Sequence, residues 1–304
     1  MPGLMLLDTP SLYYRAFYGV PESVTAPDGM PVNAVRGLID MIAMLVRQHS
    51  PGELAACMDA DWRPAFRVAA IPTYKAHRVA PDGGEETPDT LAPQVPVIER
   101  VLDAAGIARL GVPGYEADDV MGTLASRAEG GVDIVTGDRD MFQLVDDGGP
   151  IRVLYTAKGV KNLQLVDEAA VSARYGVPGR SYADFATLRG DPSDGLPGVP
   201  GVGDKTAASL ITRFGSLEAL IRAVDEGGDL TAGQRARLSA ARDYLRVAPA
   251  VVRVARDVPV PEHLDLALPG KPRDPETLAA LAERYGLNGP LSRLSEALSW
   301  APGT

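Results

Sequence analysis

An α/β protein is predicted, with a mostly parallel central sheet flanked by helices and a second, mostly helical unit carrying a glycine-rich hairpin. Three observations lead there. Leu4 to Leu7, Leu54 to Met58 and Val132 to Val135 are short apolar runs of strand length, each bounded by polar or turn residues. Between the first two runs, Val35, Leu38, Ile39, Ile42, Leu45 and Val46 recur at helical spacing, and Val97, Ile98, Val101 and Leu102 repeat the pattern before the third. From about Val166 the texture changes to short helical segments punctuated by Gly and Pro: Ala169 to Tyr175, Tyr182 to Leu188, Thr206 to Phe214 and Leu217 to Val224. Alternating strand and helix argues for a parallel sheet whose ligands bind outside the carboxyl ends of its strands. The expected division is 1–164 for the α/β unit and 165–304 for the helical one, with the hairpin at about 196–215.

Acidic residues follow the strands in order. Asp8 closes the first run, Asp59 or Asp61 the second, and Asp138 with Asp140 the third. In Gly114 to Val120, three more acids, Glu116, Asp118 and Asp119, crowd the first turn of a helix that continues through Leu124. The helix dipole favours acids there, but a capped amino terminus needs only one or two. Asp191 and Asp194 sit in Arg189 to Gly195, a stretch that also reads as an aspartate-capped turn. If the fold gathers these nine carboxylates, so many like charges require divalent cations, and hard cations choose oxygen ligands. Phosphate chemistry is the implied direction, with magnesium the expected ion.

Composition fits that direction. With 304 residues, 45% hydrophobic and 23% charged, the chain reads as a globular protein with a large core. A single cysteine, Cys57, excludes an intrachain disulfide and a cysteine-rich zinc site. No apolar stretch is long enough to span a membrane, so a cytoplasmic protein without a membrane partner is expected. A formal charge of −10 falls close to neutrality once the nine acids are set aside, leaving room for basic patches. Arg63, Arg67, Lys75, His77 and Arg78, interleaved with Trp62, Phe66 and Tyr74, form one suited to phosphates and bases, unless they are a solvated helix face. The following stretch, Val79 to Pro93, breaks every periodic pattern with Pro and Gly and reads as a mobile loop that gates the site.

Gly198-Val199-Pro200-Gly201-Val202-Gly203-Asp204-Lys205-Thr206 superficially resembles a nucleotide-binding phosphate loop, but Asp204 separates Gly203 from Lys205 and no strand precedes it. A glycine hairpin between helices instead presents backbone amides and a helix amino terminus to a phosphodiester, whatever its base sequence.

Taken together, Asp8 with Tyr14-Arg15-Ala16, Tyr74 to Arg78, Gly114 to Val120, Thr136 to Leu144 and Gly190 to Ala207 resemble, in order and approximate spacing, the 5′ nuclease domain of bacterial DNA polymerase I, a family that includes the flap endonucleases. The similarity runs from residue 4 to about 225, and with no polymerase domain after Thr304 a stand-alone form is expected. The resemblance implies a resolvase- or PIN-like core and a metal-dependent phosphodiesterase acting on branched or nicked DNA with a 5′ end; a monomer is expected because a branched duplex needs no symmetry, and a cytoplasmic one would be at the nucleoid when bound to DNA. Residue by residue, Asp8, Asp59, Glu116, Asp118, Asp119, Asp138, Asp140, Asp191 and Asp194 match the family's acidic metal ligands for two or more Mg²⁺ or Mn²⁺ ions. Lys75 and Arg78 match catalytic cations at the base of a helical arch spanning about 74–93, with Tyr74 the adjacent aromatic and Arg15 a phosphate contact. Gly198, Gly201, Gly203, Lys205 and Thr206 match a helix-hairpin-helix-like element that grips duplex DNA and can hold K⁺. The chain departs from the family pattern at Thr9, at Ala60-Asp61-Trp62, at Gly195 where asparagine is common, and in a longer arch.

On this basis Asp8, Asp59, Glu116 and Asp118 are expected to hold one ion and Asp138, Asp140 and Asp194 a second, with Asp119 and Asp191 supporting through water. A phosphatase with an aspartyl nucleophile would need a second acid where Pro10 stands. A metal-dependent ribonuclease would not require the hairpin, and a non-catalytic DNA-junction binder would not require the acids to converge.

Overall fold

The computed structural model describes residues 3–301. Its centre is a six-stranded sheet of β1 (Leu4–Asp8), β2 (Glu53–Cys57), β3 (Ala108–Leu110), β4 (Val132–Thr136), β5 (Ile151–Tyr155) and β6 (Gln164–Val166), in the order β3-β2-β1-β4-β5-β6. All pairings are parallel except β5 with β6. β1 is buried along its whole length, as a strand covered on both faces must be, so it reads as a continuous apolar run.

The two faces of the sheet start two cores, because successive side chains on a strand point to opposite sides. Met5, Leu7, Leu54 and Val135 face α1 (Thr9–Gly19), α2 (Asn33–His49) and, past the short α3 (Ala65–Ala70), α4 (Val95–Ala105). Leu4, Leu6, Cys57 and Ile134 face α5 (Ala117–Arg127) and the helical region: α6 (Glu168–Tyr175), α7 (Tyr182–Arg189), α8 (Asp204–Phe214), α9 (Leu217–Glu226), α10 (Ala232–Ala240), α11 (Arg242–Val247) and α12 (Pro249–Val252). The last two helices, α13 (Pro275–Tyr285) and α14 (Asn288–Ala297), return to the first face, where Leu281 and Leu294 join Ile39 and Val101 in one cluster. No helix among the described residues is long and apolar enough to cross a membrane.

Several elements carry no strong periodic signal. α1 begins directly after β1, with Asp8 as its cap and a proline in its first turn, where the missing N–H costs nothing. β5 is half-buried at one end, β3 and β6 are three residues each, and such short pieces are recognised only once they are paired.

The expected helical arch takes a different form. Residues 72–94 contain no α-helix; a 3₁₀ turn at Ala76–Arg78 leads into a small hairpin in which Ala80 N donates to Gly84 O (2.9 Å) and Glu86 N to Arg78 O (2.7 Å), and a second 3₁₀ turn at Ala92–Gln94 precedes α4. Pro81, Gly83, Gly84 and Pro88 interrupt any helical ladder there. The hairpin is tied back to α1 through the Tyr14 and Thr87 hydroxyls, 3.3 Å apart.

Candidate metal centre

Strand order reverses direction at β1, with β2 on one side and β4 on the other, and there the connections diverge and open a crevice. Asp8 ends β1, Asp59 lies two residues past β2, and Asp138 two past β4. Glu116 caps α5, whose first turn carries Asp118 and Asp119. A cleft of about 240 Å³ opens between them, lined by Asp8, Asp59, Glu116, Asp118 and Asp138 and faced by Lys75 and Arg78. Asp61 instead accepts from Gly114 N at 2.8 Å, outside the cleft.

The geometry of each acid is built locally. Asp8 Oδ1 accepts from Ser11 N (3.1 Å) and Oδ2 from the Thr136 hydroxyl (2.5 Å), so β4 aims the acid of β1. Asp59 Oδ1 accepts from Ala117 N at 2.7 Å. Asp138 Oδ1 accepts from Asp140 N at 2.8 Å, and Asp191 caps its own turn through Ser193 N at 2.9 Å. Asp194 Oδ1 accepts from Arg78 Nη2 at 2.8 Å. Electrostatics mark the set as overcharged. Burial, aggravated by Asp59 and Asp138, pushes the Asp8 carboxyl up to about 7 despite its hydrogen bonds. Burial raises Asp118 well above the carboxylate range, with Asp138, Asp8 and Glu116 adding to it, and raises Asp140 likewise, with Asp138, Asp194 and Asp191 adding. Asp138, Asp140, Asp191 and Asp194 thus form a second acidic group beside the first.

Among the described residues no three of these groups, as placed, converge closely enough to grip one ion. Cations of the protein hold some of them: Lys75 Nζ donates to Glu116, and Arg78 to Asp194. The donor set fits a hard divalent cation all the same. It offers only oxygen, its acids repel one another, and among the described residues Asp118 and Asp140 accept no hydrogen bond that would neutralise them.

Three expectations need correction. Asp119, expected to support an ion through water, is fully buried, and its oxygens are taken by Arg67 (2.6 and 2.8 Å), Glu116 N (3.2 Å) and Ala255 N (2.8 Å). It closes the capping box of α5 and has no lone pair facing the cleft. Tyr74, expected beside DNA, is only 4% exposed and donates its hydroxyl to Glu116 at 2.9 Å, so its ring offers no face to a base. Within the basic segment, Arg67 is buried and has no surface for phosphate, and Arg63 turns two of its donors to the Tyr74 and Pro72 carbonyls at 2.5 and 2.7 Å.

Tyr14 and Glu85 line the cleft and escaped the sequence reading. Tyr14 stands in a motif quoted above, whereas Glu85 lies in the loop without periodic signal. Arg15 lies beside them, lining a larger groove of about 830 Å³ with Ser11 and Tyr14; its buried Nε has no hydrogen-bond partner among the described residues. Gly198 and Gly201 take positive φ in the hairpin ahead of α8, and Gly198 fits nothing larger, since a Cβ there would stand 2.4 Å from the Arg189 carbonyl oxygen. Gly203 caps α8 without a side chain, leaving its first amides uncapped, next to exposed Lys205 and half-buried Thr206. At Gly195 a Cβ would lie 2.1 Å from the Thr73 carbonyl oxygen, which explains glycine where asparagine is common.

Comparison with known proteins agrees with this geometry. The profile of the 5′-3′ exonuclease N-terminal resolvase-like domain matches residues 3–176, and that of the 5′-3′ exonuclease C-terminal SAM fold matches 177–275. A 5′-3′ exonuclease of Streptomyces coelicolor is 64% identical over 97% of this chain and 100% of its own length, and one of Mycobacterium tuberculosis 52% identical over 99% of each. DNA polymerase I of Mycobacterium bovis is 47% identical over 74% of this chain but 24% of the polymerase. Among solved structures, the T5 D15 protein co-crystallised with metal ions has the same fold at a TM-score of 0.64 and 16% identity, covering 98% of both chains. The catalytic core of Rad2 with DNA substrate follows at 0.56 and 17%, covering 98% of this chain and 91% of that one. With both profiles spanning the sheet, the acidic cleft and the hairpin, and relatives of this identity along the whole length, the chain belongs to the 5′-3′ exonuclease family.

Proposed function

We propose that this protein is a metal-dependent 5′ nuclease, an exonuclease and flap endonuclease that hydrolyses DNA phosphodiesters at 5′ ends, flaps and nicks in replication and repair. The observation that carries it is the carboxylate cleft at the switch point of the sheet, faced by Lys75 and Arg78. Asp8, Asp59, Glu116 and Asp118 would hold one divalent cation and Asp138, Asp140 and Asp194 another, with Asp191 supporting. Bound there, Mg²⁺ or Mn²⁺ would supply a water of lowered pKa and stabilise the leaving oxygen.

The chain's own groups do the rest. Lys75 and Arg78, held against Glu116 and Asp194, would offset charge developing on the scissile phosphate. Tyr74 steadies Glu116 from beneath, and Arg15 meets a neighbouring phosphate. The hairpin at Gly198 to Thr206 grips duplex backbone through its amides and Lys205, with K⁺ among its backbone carbonyls belonging to the same reading. A branched duplex has no symmetry to match, so a monomer acting at the nucleoid suffices.

The test is a panel of 5′-flap, nicked, blunt and single-stranded DNA and a matched RNA, digested with Mg²⁺, Mn²⁺ or chelator and mapped to the nucleotide. Cleavage at the flap junction, leaving a 5′-phosphate and lost with chelator, is expected. Undiminished cleavage in chelator, or RNA cut as fast as DNA, would defeat the proposal.

A further inference from the structure

One buried cation is not used by the chemistry above. Arg67, on α3, is 3% exposed, and each of its three guanidinium nitrogens donates to a protein acceptor. Two parallel bonds reach Asp119 (2.8 and 2.6 Å), Nη1 also donates to Glu116, and Nε donates to the Val251 carbonyl at 3.1 Å. Burying a charged triad is a weak way to gain stability, because apolar side chains of similar volume avoid the desolvation cost. What a planar fork does well is fix the orientation of the carboxylates it grips.

Those carboxylates lie between the cleft and the helical region. Glu116 lines the cleft, whereas Asp119 points away and accepts from Ala255 N at 2.8 Å. The segment after α12 presses hard on α5. A Cβ on Gly122 would come within 2.5 Å of Val254 Cγ1 and 2.7 Å of the Ala255 carbonyl oxygen, and the Thr123 hydroxyl accepts from Val258 N at 3.1 Å. α3, α5 and segment 251–258 therefore meet at one side chain, a single residue removed from the cleft.

We propose that Arg67 is a positioning residue for the nuclease reaction, holding the Glu116 carboxylate at the cleft and making its placement depend on the docking of segment 251–258. The inference rests on the proposed reading of the cleft as a divalent-metal nuclease site. Its place in a basic sequence segment suggests direct contact with DNA instead, but a side chain buried to this degree has no surface to offer.

Arg67→Lys keeps a charge and loses the fork. On the full chain, its Mn²⁺ affinity, read by electron paramagnetic resonance, should fall about tenfold or more. Flap-DNA affinity in chelator should stay unchanged, and raising Mn²⁺ should recover much of the lost single-turnover rate. Thr123→Val, which removes a hydroxyl from the docking contact and leaves Arg67 intact, should weaken Mn²⁺ binding in the same direction and decides the matter if Arg67→Lys fails to fold. Parent-like Mn²⁺ affinity in the folded variant would overturn the inference. So would a loss of flap affinity in chelator equal to the loss of Mn²⁺ affinity, which would make Arg67 a DNA contact. A parent chain without divalent-dependent cleavage would refute the reading of the site itself, a failure visible before any variant is compared.

Discussion

Arg78 Nη2 donates to Asp194 Oδ1 at 2.8 Å and to the Ser193 carbonyl at 2.8 Å, joining the basic segment to an acidic turn 116 positions later in the chain. The Lys75 amide donates to the Asp194 carbonyl at 3.0 Å beside it, and Lys75 itself takes φ +48, a conformation that costs a non-glycine residue free energy. The cations and carboxylates proposed for the reaction are thus positioned by one another.

Arg78→Ala should therefore act on the chemical step more than on binding. A fall in single-turnover rate of about 10²-fold is expected, with flap affinity in chelator changed no more than a few-fold. Rapid-quench cleavage beside fluorescence anisotropy separates the two. A rate loss matched by the affinity loss would make Arg78 a plain phosphate contact.

The buried acids make stability depend on pH in a known direction. Asp8 has a folded-state pKa of about 7 against an unfolded value of 3.8, so the folded state holds its proton more tightly. Its favourable contribution is fully present below about pH 4 and is lost as pH rises through about 7. Asp118, raised for the same cause of burial, behaves alike. Asp118→Asn should abolish cleavage, erase most of the Mg²⁺-induced rise in Tm, and melt above the metal-free parent at pH 8 by about 3 °C or more, with the gap closing towards pH 4. Thermal melts with and without Mg²⁺ at these pH values settle it; a variant less stable than the parent at pH 8 would show that Asp118 is not overcharged.

Tyr74→Phe removes only the hydroxyl that Glu116 accepts. Losing a bond to a charged acceptor costs about 1.5–3 kcal/mol, visible as a lower midpoint in urea. Cleavage should slow about tenfold from a less fixed Glu116, and affinity for a single-stranded flap should hold, because the ring is packed inside. Weakened flap binding with intact stability would restore a stacking role to Tyr74.

Lys205→Ala should weaken duplex binding about equally for all sequences and lower the slope of log K against log salt by about one. Gly198→Val should do more, because no side chain fits against the Arg189 carbonyl and the whole hairpin must shift. Filter binding over a salt series distinguishes a lost charge from a lost loop. An unchanged salt slope for Lys205→Ala would place the duplex elsewhere.

Much of this was legible from residue order. The strands that lead to Asp8, Asp59 and Asp138 show as apolar runs because a parallel strand is buried on both faces, and α2 and α4 show as periodic stripes because one face of each meets the sheet. β3 and β6, three residues each, are too short to be told from loops without their pairing partners. The small hairpin after Arg78 is held by contacts such as Tyr14 with Thr87, which no local pattern announces.

By itself, the order of residues determined the layered α/β architecture, the supply of acids at strand ends and the glycine hairpin, since periodicity, strand length and backbone freedom are local properties. Tertiary structure alone decided which charges face the cleft. Arg67 and Lys75 stand eight positions apart in one basic segment, yet one is sealed between Asp119 and Val251 while the other lines the cleft, because burial follows from which distant elements pack over each. The same packing turned Asp119 into a cap and left its neighbour Asp118 in the cleft.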